Sequence, residues 1–369
     1  MKWHWKIGRI AGIDIKLHLS FFFLLIWVGI PVLISGGSTS DMLMEILFVL
    51  LLFVCVVLHE LGHALTAKLF GIQTKDITLL PVGGLARMEK MPEDPKEEFL
   101  VAAAGPAVNL VIGGAILVSL LVAGSFTLPL DVATLSMSFW VRLMTTNFAL
   151  VAFNLIPAFP MDGGRVLRSI LSTKMERVRA TRIAANVGKI LAIGMAIVGL
   201  FFDAWLILIA IIIWFGAGAE AQSEDLKDGL EGLVVRDAMI SQFYKVEGNL
   251  PLASVYQIST QTGQKDIPVK SNGHFLGIIR RRDLLSAIER LGDRAPAYAA
   301  IGIEPEGISL DMPLMDVLPR FSTCQVLPVI DEGALIGLIT PESIKQRIWL
   351  KRRTQKNEQK PPEEKTDTV

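Results

Sequence analysis

Cysteine is almost missing from this chain: Cys55 and Cys324 are the only two in 369 residues, and they lie in regions of different character. That excludes a disulfide framework. A surplus of either charge is missing too, since 36 Lys and Arg face 36 Asp and Glu, so charge gives no support to a nucleic-acid partner. A cleavable leader is not expected. The basic start (Lys2, Lys6, Arg9, Lys16) runs into a full apolar segment with no small-residue cleavage site. Lysine and arginine are also absent from three connections, at 31–41, 124–135 and 203.

What is abundant is apolar sequence. Hydrophobic residues make up 51% and the mean hydropathy is +0.49, both too high for an ordinary soluble domain. Apolar runs at 19–34, 44–70, 99–123, 136–156, 186–202 and 204–219 approach the ~20 residues needed to cross hydrocarbon. The fold class expected is a polytopic α-helical membrane protein with about six transmembrane helices and a small membrane-associated β region.

Basic residues cluster at the N-terminus, in the second connection (Lys75, Arg87, Lys90, Lys96) and in the fourth (Arg165, Arg168, Lys174, Arg177, Arg179, Arg182). The positive-inside rule then places both termini in the cytoplasm of a multi-pass inner-membrane protein. Arg142, near the outer end of the fourth span, is expected to pair or snorkel.

Within the second run lies His59-Glu60-Leu61-Gly62-His63. Residues i and i+4 share a helix face, so both imidazoles can reach one metal ion, with Glu60 beside them as general base toward metal-activated water. The competing reading is a polar cluster gluing helices together. The motif sits about 11 residues before the cytoplasmic end of its span, roughly 15 Å deep at 1.5 Å per residue.

A catalytic zinc usually has three protein ligands. His4, His18 and His274 read as surface or interfacial, and the better candidate is Asp162, in Asn154-Leu155-Ile156-Pro157-Ala158-Phe159-Pro160-Met161-Asp162-Gly163-Gly164. The prolines end the fourth span and the glycines allow a sharp turn beside a carboxylate at membrane depth. The alternative role for Asp162 is an N-cap.

These two motifs, together with Leu80-Pro81-Val82-Gly83-Gly84 and Ala104-Gly105-Pro106-Ala107-Val108-Asn109, resemble the site-2 protease family of intramembrane metalloproteases over roughly residues 1–222. The resemblance implies that His59, His63 and Asp162 bind Zn2+, that Glu60 activates water and that Asn154 helps hold the substrate or its oxyanion. It also implies that the Gly83-Gly84 region lines the path of a transmembrane protein substrate. A non-proteolytic metal-transporting or metal-sensing membrane protein is the alternative, and an intact Glu60 argues against it, because a transport site needs no general base.

After Glu220 the sequence turns polar and repeats itself. Ile267-Pro268-Val269 with Gly277-Ile278-Ile279 returns 60 residues later as Leu327-Pro328-Val329 with Gly337-Leu338-Ile339. This resembles a tandem pair of CBS domains, expected at 223–292 and 293–350 as a cytoplasmic α/β module, with a disordered tail at 351–369. By that resemblance Thr340 would meet phosphate and Asp283 a ribose, making ATP or AMP a regulatory ligand. A homodimer through the CBS domains is a further expectation.

Overall fold

The computed structural model describes residues 4–81, 83–124, 138–302, 305–322 and 324–358. Val82, the connection at 125–135, the start of the fourth expected span at 136–137 and the tail beyond 358 lie outside the described residues. The chain divides into two compact units, meeting at Glu224 and Asp225.

The first unit opens with the hairpin β1 (His4–Ile10) and β2 (Ile13–His18), then α1 (Ser20–Ile34) and α2 (Thr39–Leu69). A second hairpin, β3 (Thr74–Leu80) and β4 (Gly83–Met88), leads to α3 (Pro95–Val122), α4 (Phe139–Asn154), α5 (Asp162–Ser172), α6 (Arg177–Phe201) and α7 (Ala204–Leu230). Helix starts follow from local chemistry. Ser38 and Asp41 form a reciprocal capping box at α2, and Asp94 accepts from Lys96 and Glu97 backbone N–H groups ahead of Pro95 in the first turn of α3.

The strands form one sheet in the order β1-β2-β3-β4. β2 and β3 are parallel, so the chain needs a long crossover between them, and α1 with α2 supplies it. Ile13 and Ile77 on this sheet pack with Leu61 and Ala64 of α2. The sheet is thereby fixed to the helix that carries the histidines.

The six expected spans fall on α1, α2, α3, α4, α6 and α7. Four of these, α2, α3, α6 and α7, are long and apolar enough to cross a membrane, while α1 has 15 residues and α4 has 16. Large side chains point outward along them, Trp27, Phe201 and Phe215 among them, as lipid-facing surfaces require. Arg142 is paired as expected: its Nη1 donates to Glu45 Oε1 and its guanidinium lies 4.0 Å above the Phe48 ring. α7 continues past the expected end at Ala219 into a polar stretch.

The second unit contains α8 (Val235–Ala238), β5 (Val246–Glu247), α9 (Leu252–Thr262), β6 (Asp266–Ser271), β7 (His274–Arg280) and α10 (Arg281–Leu291). Its other half holds α11 (Leu314–Val317), β8 (Leu327–Asp331), β9 (Ala334–Ile339) and α12 (Pro341–Glu358). The repeat is visible in backbone detail. Both hairpins turn through two residues of positive φ, Asn272-Gly273 and Glu332-Gly333, the pattern of type I′ turns. Both shift register at the same place, between Val269 and Lys270 and between Val329 and Ile330. The two cores do not follow chain order: one lies around Leu252, Val269 and Leu284, while the other, around Leu314, Val329 and Ile344, also takes in Val235 and Ala238 of α8. A third cluster joins Ile278 of the first half to Val326, Leu335 and Leu338 of the second.

One expectation needs correcting. Residues 351–358, expected to be disordered, extend α12 instead. The Lys351 ammonium donates to Glu231 O at 2.7 Å and Arg352 to Asp225 O at 2.6 Å, partners that composition alone does not reveal.

Candidate metal centre

One turn of α2 separates His59 from His63, and their rings meet edge to face with centroids 4.8 Å apart. The two Nε2 atoms are 3.1 Å apart. Asp162 Oδ2 lies 3.3 Å from His59 Nε2 and 3.2 Å from His63 Nε2. All three residues are buried, at 6%, 4% and 7% exposure.

Asp162 reaches this position because of the sequence around it. Helix α4 ends at Asn154, and the segment carrying Pro157 and Pro160, with a cis Phe159–Pro160 bond, leads into α5. That segment folds back on the start of α5 with no space for side chains. A Cβ on Gly163 would lie 2.3 Å from Ile156 O, and one on Gly164 would lie 2.6 Å from Phe159 N. The capping alternative does not hold, since the cap position is Met161 and it makes no side-chain cap.

The donor set fits a tetrahedral cation. The His63 Nδ1 lies 2.7 Å from Val101 O, and a carbonyl only accepts, so Nδ1 carries a proton and Nε2 is the nitrogen turned toward the cluster. Asp162 Oδ2 is buried with no hydrogen-bond donor among the described residues. Three lone-pair atoms this close repel one another unless a cation stands between them. Ligand bonds of ~2.0–2.1 Å in a tetrahedron put ligand atoms roughly 3.3 Å apart, close to the separations observed. These three are the only cluster of its kind among the described residues.

Helix α3 forms the floor. Gly105 faces both rings, and Gly62 of α2 sits against Ala104 O, where an added Cβ would be 2.9 Å away. On the other side a cavity of about 530 Å³ is lined by Glu60, Asn154 and Arg165 along with the cluster itself, and by Gly84, Leu85 and Ala86 of β4. Gly84 leaves room for Glu60: its Cβ would fall 2.7 Å from the Glu60 Cγ. The structure therefore brings His59, Glu60, His63, Asn154 and Asp162 to one cavity. The sequence by itself gives Arg165 and Val101 no functional mark, and Gly105 only its place in Ala104-Gly105-Pro106-Ala107-Val108-Asn109.

The other histidines stay apart. His4 and His18 have ring centroids 4.9 Å from each other, with His18 Nδ1 2.6 Å from Ser20 Oγ, and His274 is exposed. In the second unit, Asp283 is paired with Arg280, whose Nη2 donates to Oδ1 at 3.1 Å. Thr340 and Ser343 cap each other at the start of α12, each backbone N–H donating to the other's hydroxyl at 3.1 Å.

Comparison with known proteins agrees with this architecture. The peptidase family M50 model matches residues 47–133 and 130–195, and the CBS domain model matches 235–290 and 304–349. A zinc metalloprotease of Methanocaldococcus jannaschii is 32% identical over 93% of this chain and 96% of its own length. Stage IV sporulation protein FB of Bacillus subtilis is 28% identical over 46% of this chain and 52% of its own. Among solved structures, the site-2 protease from M. jannaschii is 38% identical, covering 59% of this chain and 95% of that one, with a TM-score of 0.44. The chain belongs to peptidase family M50, the zinc metalloproteases of the site-2 protease type, and joins that membrane protease region to a CBS domain pair.

Proposed function

We propose that the protein cuts membrane-spanning segments of other membrane proteins, with His59, His63 and Asp162 as its zinc ligands and Glu60 as its general base. The observation that carries this reading is the triangle of ligand atoms, 3.1 to 3.3 Å on a side, in the wall of a cavity that Glu60 also lines. A zinc ion held by these three residues would supply Lewis acidity toward water near neutral pH. Glu60 takes the proton of the attacking water and passes it to the departing amide nitrogen. Asn154 donates an amide N–H to the scissile carbonyl oxygen as negative charge develops there, and the Arg165 guanidinium lies along the same cavity.

A helical substrate has its backbone groups satisfied internally and must unwind to be cut. β4 offers a replacement partner. It pairs with β3 alone among the described strands, and Gly84, Leu85 and Ala86 border the cavity, so its outer edge can take an unwound segment as an added strand. The basic connections support an inner-membrane orientation with both termini cytoplasmic.

The CBS pair regulates cleavage by binding an adenine nucleotide, Thr340 taking phosphate and Asp283 the ribose after release from Arg280, and it associates with a second copy. Regulation of this kind requires different affinity for two states of the enzyme.

The deciding experiment is metal analysis of the purified wild type, Asp162→Ala and Glu60→Gln, with cleavage of a single-span peptide assayed in parallel. About one zinc per chain is expected in wild type and Glu60→Gln and none in Asp162→Ala, with cleavage lost in both variants. Zinc retained in Asp162→Ala, or cleavage retained in Glu60→Gln, would refute the assignment.

A further inference from the structure

Five charged side chains form a network across four helices: Glu98 of α3, Arg168 of α5, Arg177 of α6, and Glu220 and Glu224 of α7. Glu98 and Arg168 are 0% and 1% exposed. Arg168 donates from Nε to Glu98 Oε1 at 2.8 Å, from Nη2 to the same oxygen, and from Nη1 to Glu220 Oε1 at 2.6 Å. Arg177 donates from Nη1 to Glu98 Oε2 at 2.7 Å and from Nε to Glu224 Oε1 at 2.9 Å. Both oxygens of Glu98 are thus engaged. Buried ion pairs add little net stability over apolar packing of the same volume, so stability alone is a poor account of this one.

Its position offers another account. Arg168 is six residues after Asp162 on the same short helix. Glu98 is three residues before Val101, whose carbonyl fixes the His63 ring, and seven before Gly105, which floors both rings. The Arg168–Glu98 contact therefore joins the helix holding Asp162 to the helix that orients His63. We infer that Arg168 is a positioning residue for the reaction: through Glu98 it sets where Asp162 stands relative to His63, and through Glu220 it anchors that setting to α7. A lysine could meet one of these carboxylates but could not span both, because the planar fork of arginine bonds in two directions at once.

This inference rests on the proposed ligand set, and its test separates the two. Full-length wild type, Arg168→Lys, Glu220→Gln and Asp162→Ala are compared by melting temperature, by the rate of zinc loss to a chelator, and by kcat and KM on a single-span peptide. Arg168→Lys is expected to lose zinc about tenfold faster and to lower kcat by a similar factor at unchanged KM, the lower end of the range for removing support behind metal ligands. Glu220→Gln, on a half-buried side chain, shifts both quantities in the same direction by a smaller factor. Wild-type zinc loss and kcat in both variants would overturn the inference. Should Arg168→Lys not fold, Glu220→Gln alone decides in the same way. Asp162→Ala losing its zinc while the other two behave as wild type refutes the positioning role alone, whereas Asp162→Ala keeping zinc refutes the ligand set beneath it.

Discussion

Gly105 of α3 stands so close to His63 of α2 that a Cβ built on it would lie 2.2 Å from Nε2, and 2.7 Å from Nε2 of His59. No real side chain tolerates such distances, so any substitution must displace one or both imidazoles or the α3 backbone. Gly105→Ala should therefore weaken zinc binding by at least about tenfold and abolish cleavage, while the helices still assemble. Zinc titration against a chelator checks this, with circular dichroism as the control for folding.

Gly84 makes the equivalent demand on the other side of the cavity. A methyl group there would press on the Glu60 side chain, which is flexible and would move before the strand does. Gly84→Ala should leave zinc content unchanged and lower kcat at least tenfold, since a displaced base forfeits much of the ~10²–10⁴ that proton transfer contributes. A normal turnover rate in this variant would show that Glu60 has room to spare.

Asp76 of β3 accepts from Lys16 Nζ of β2 at 2.7 Å and from Arg87 Nε of β4 at 2.8 Å, binding the edge strand into the sheet. The Arg87 guanidinium, aided by Lys16 and opposed by burial, holds the Asp76 carboxyl at about 2, against an ordinary 3.8. A value lowered on folding means that the stabilisation is fully present above 3.8 and fades as pH falls toward about 2. Asp76→Asn should melt a few degrees lower than wild type at neutral pH, and the gap should narrow across that acid window. Calorimetry of the detergent-solubilised protein at several pH values measures it.

The parts of this site that were legible in the sequence are those fixed by local spacing. His59 and His63 share a face because helices repeat every 3.6 residues, and the prolines and glycines around Asp162 announce a break in a helix. The CBS repeat declared itself through a constant offset. What was not legible depends on which helices lie side by side. Val101 O, Gly105 and the Glu98–Arg168 pair come from α3 and α5, and no periodicity shows that α3 runs beneath the histidines. The helical continuation through Lys351 was hidden for the same reason: its carbonyl partner, Glu231, is 120 residues away.

The cluster joining Ile278 to Val326, Leu335 and Leu338 has a consequence for how the second unit comes apart. Both halves bury apolar surface in it, and α8 of the first half completes the core of the second, so the two halves share their packing. Heating should melt the two together in a single transition, and a chain cut between them would yield fragments that self-associate through the bared patch. A gene that lost one copy would not gain a smaller domain. It would gain a half with bared apolar surface, open to association with the same half of another molecule.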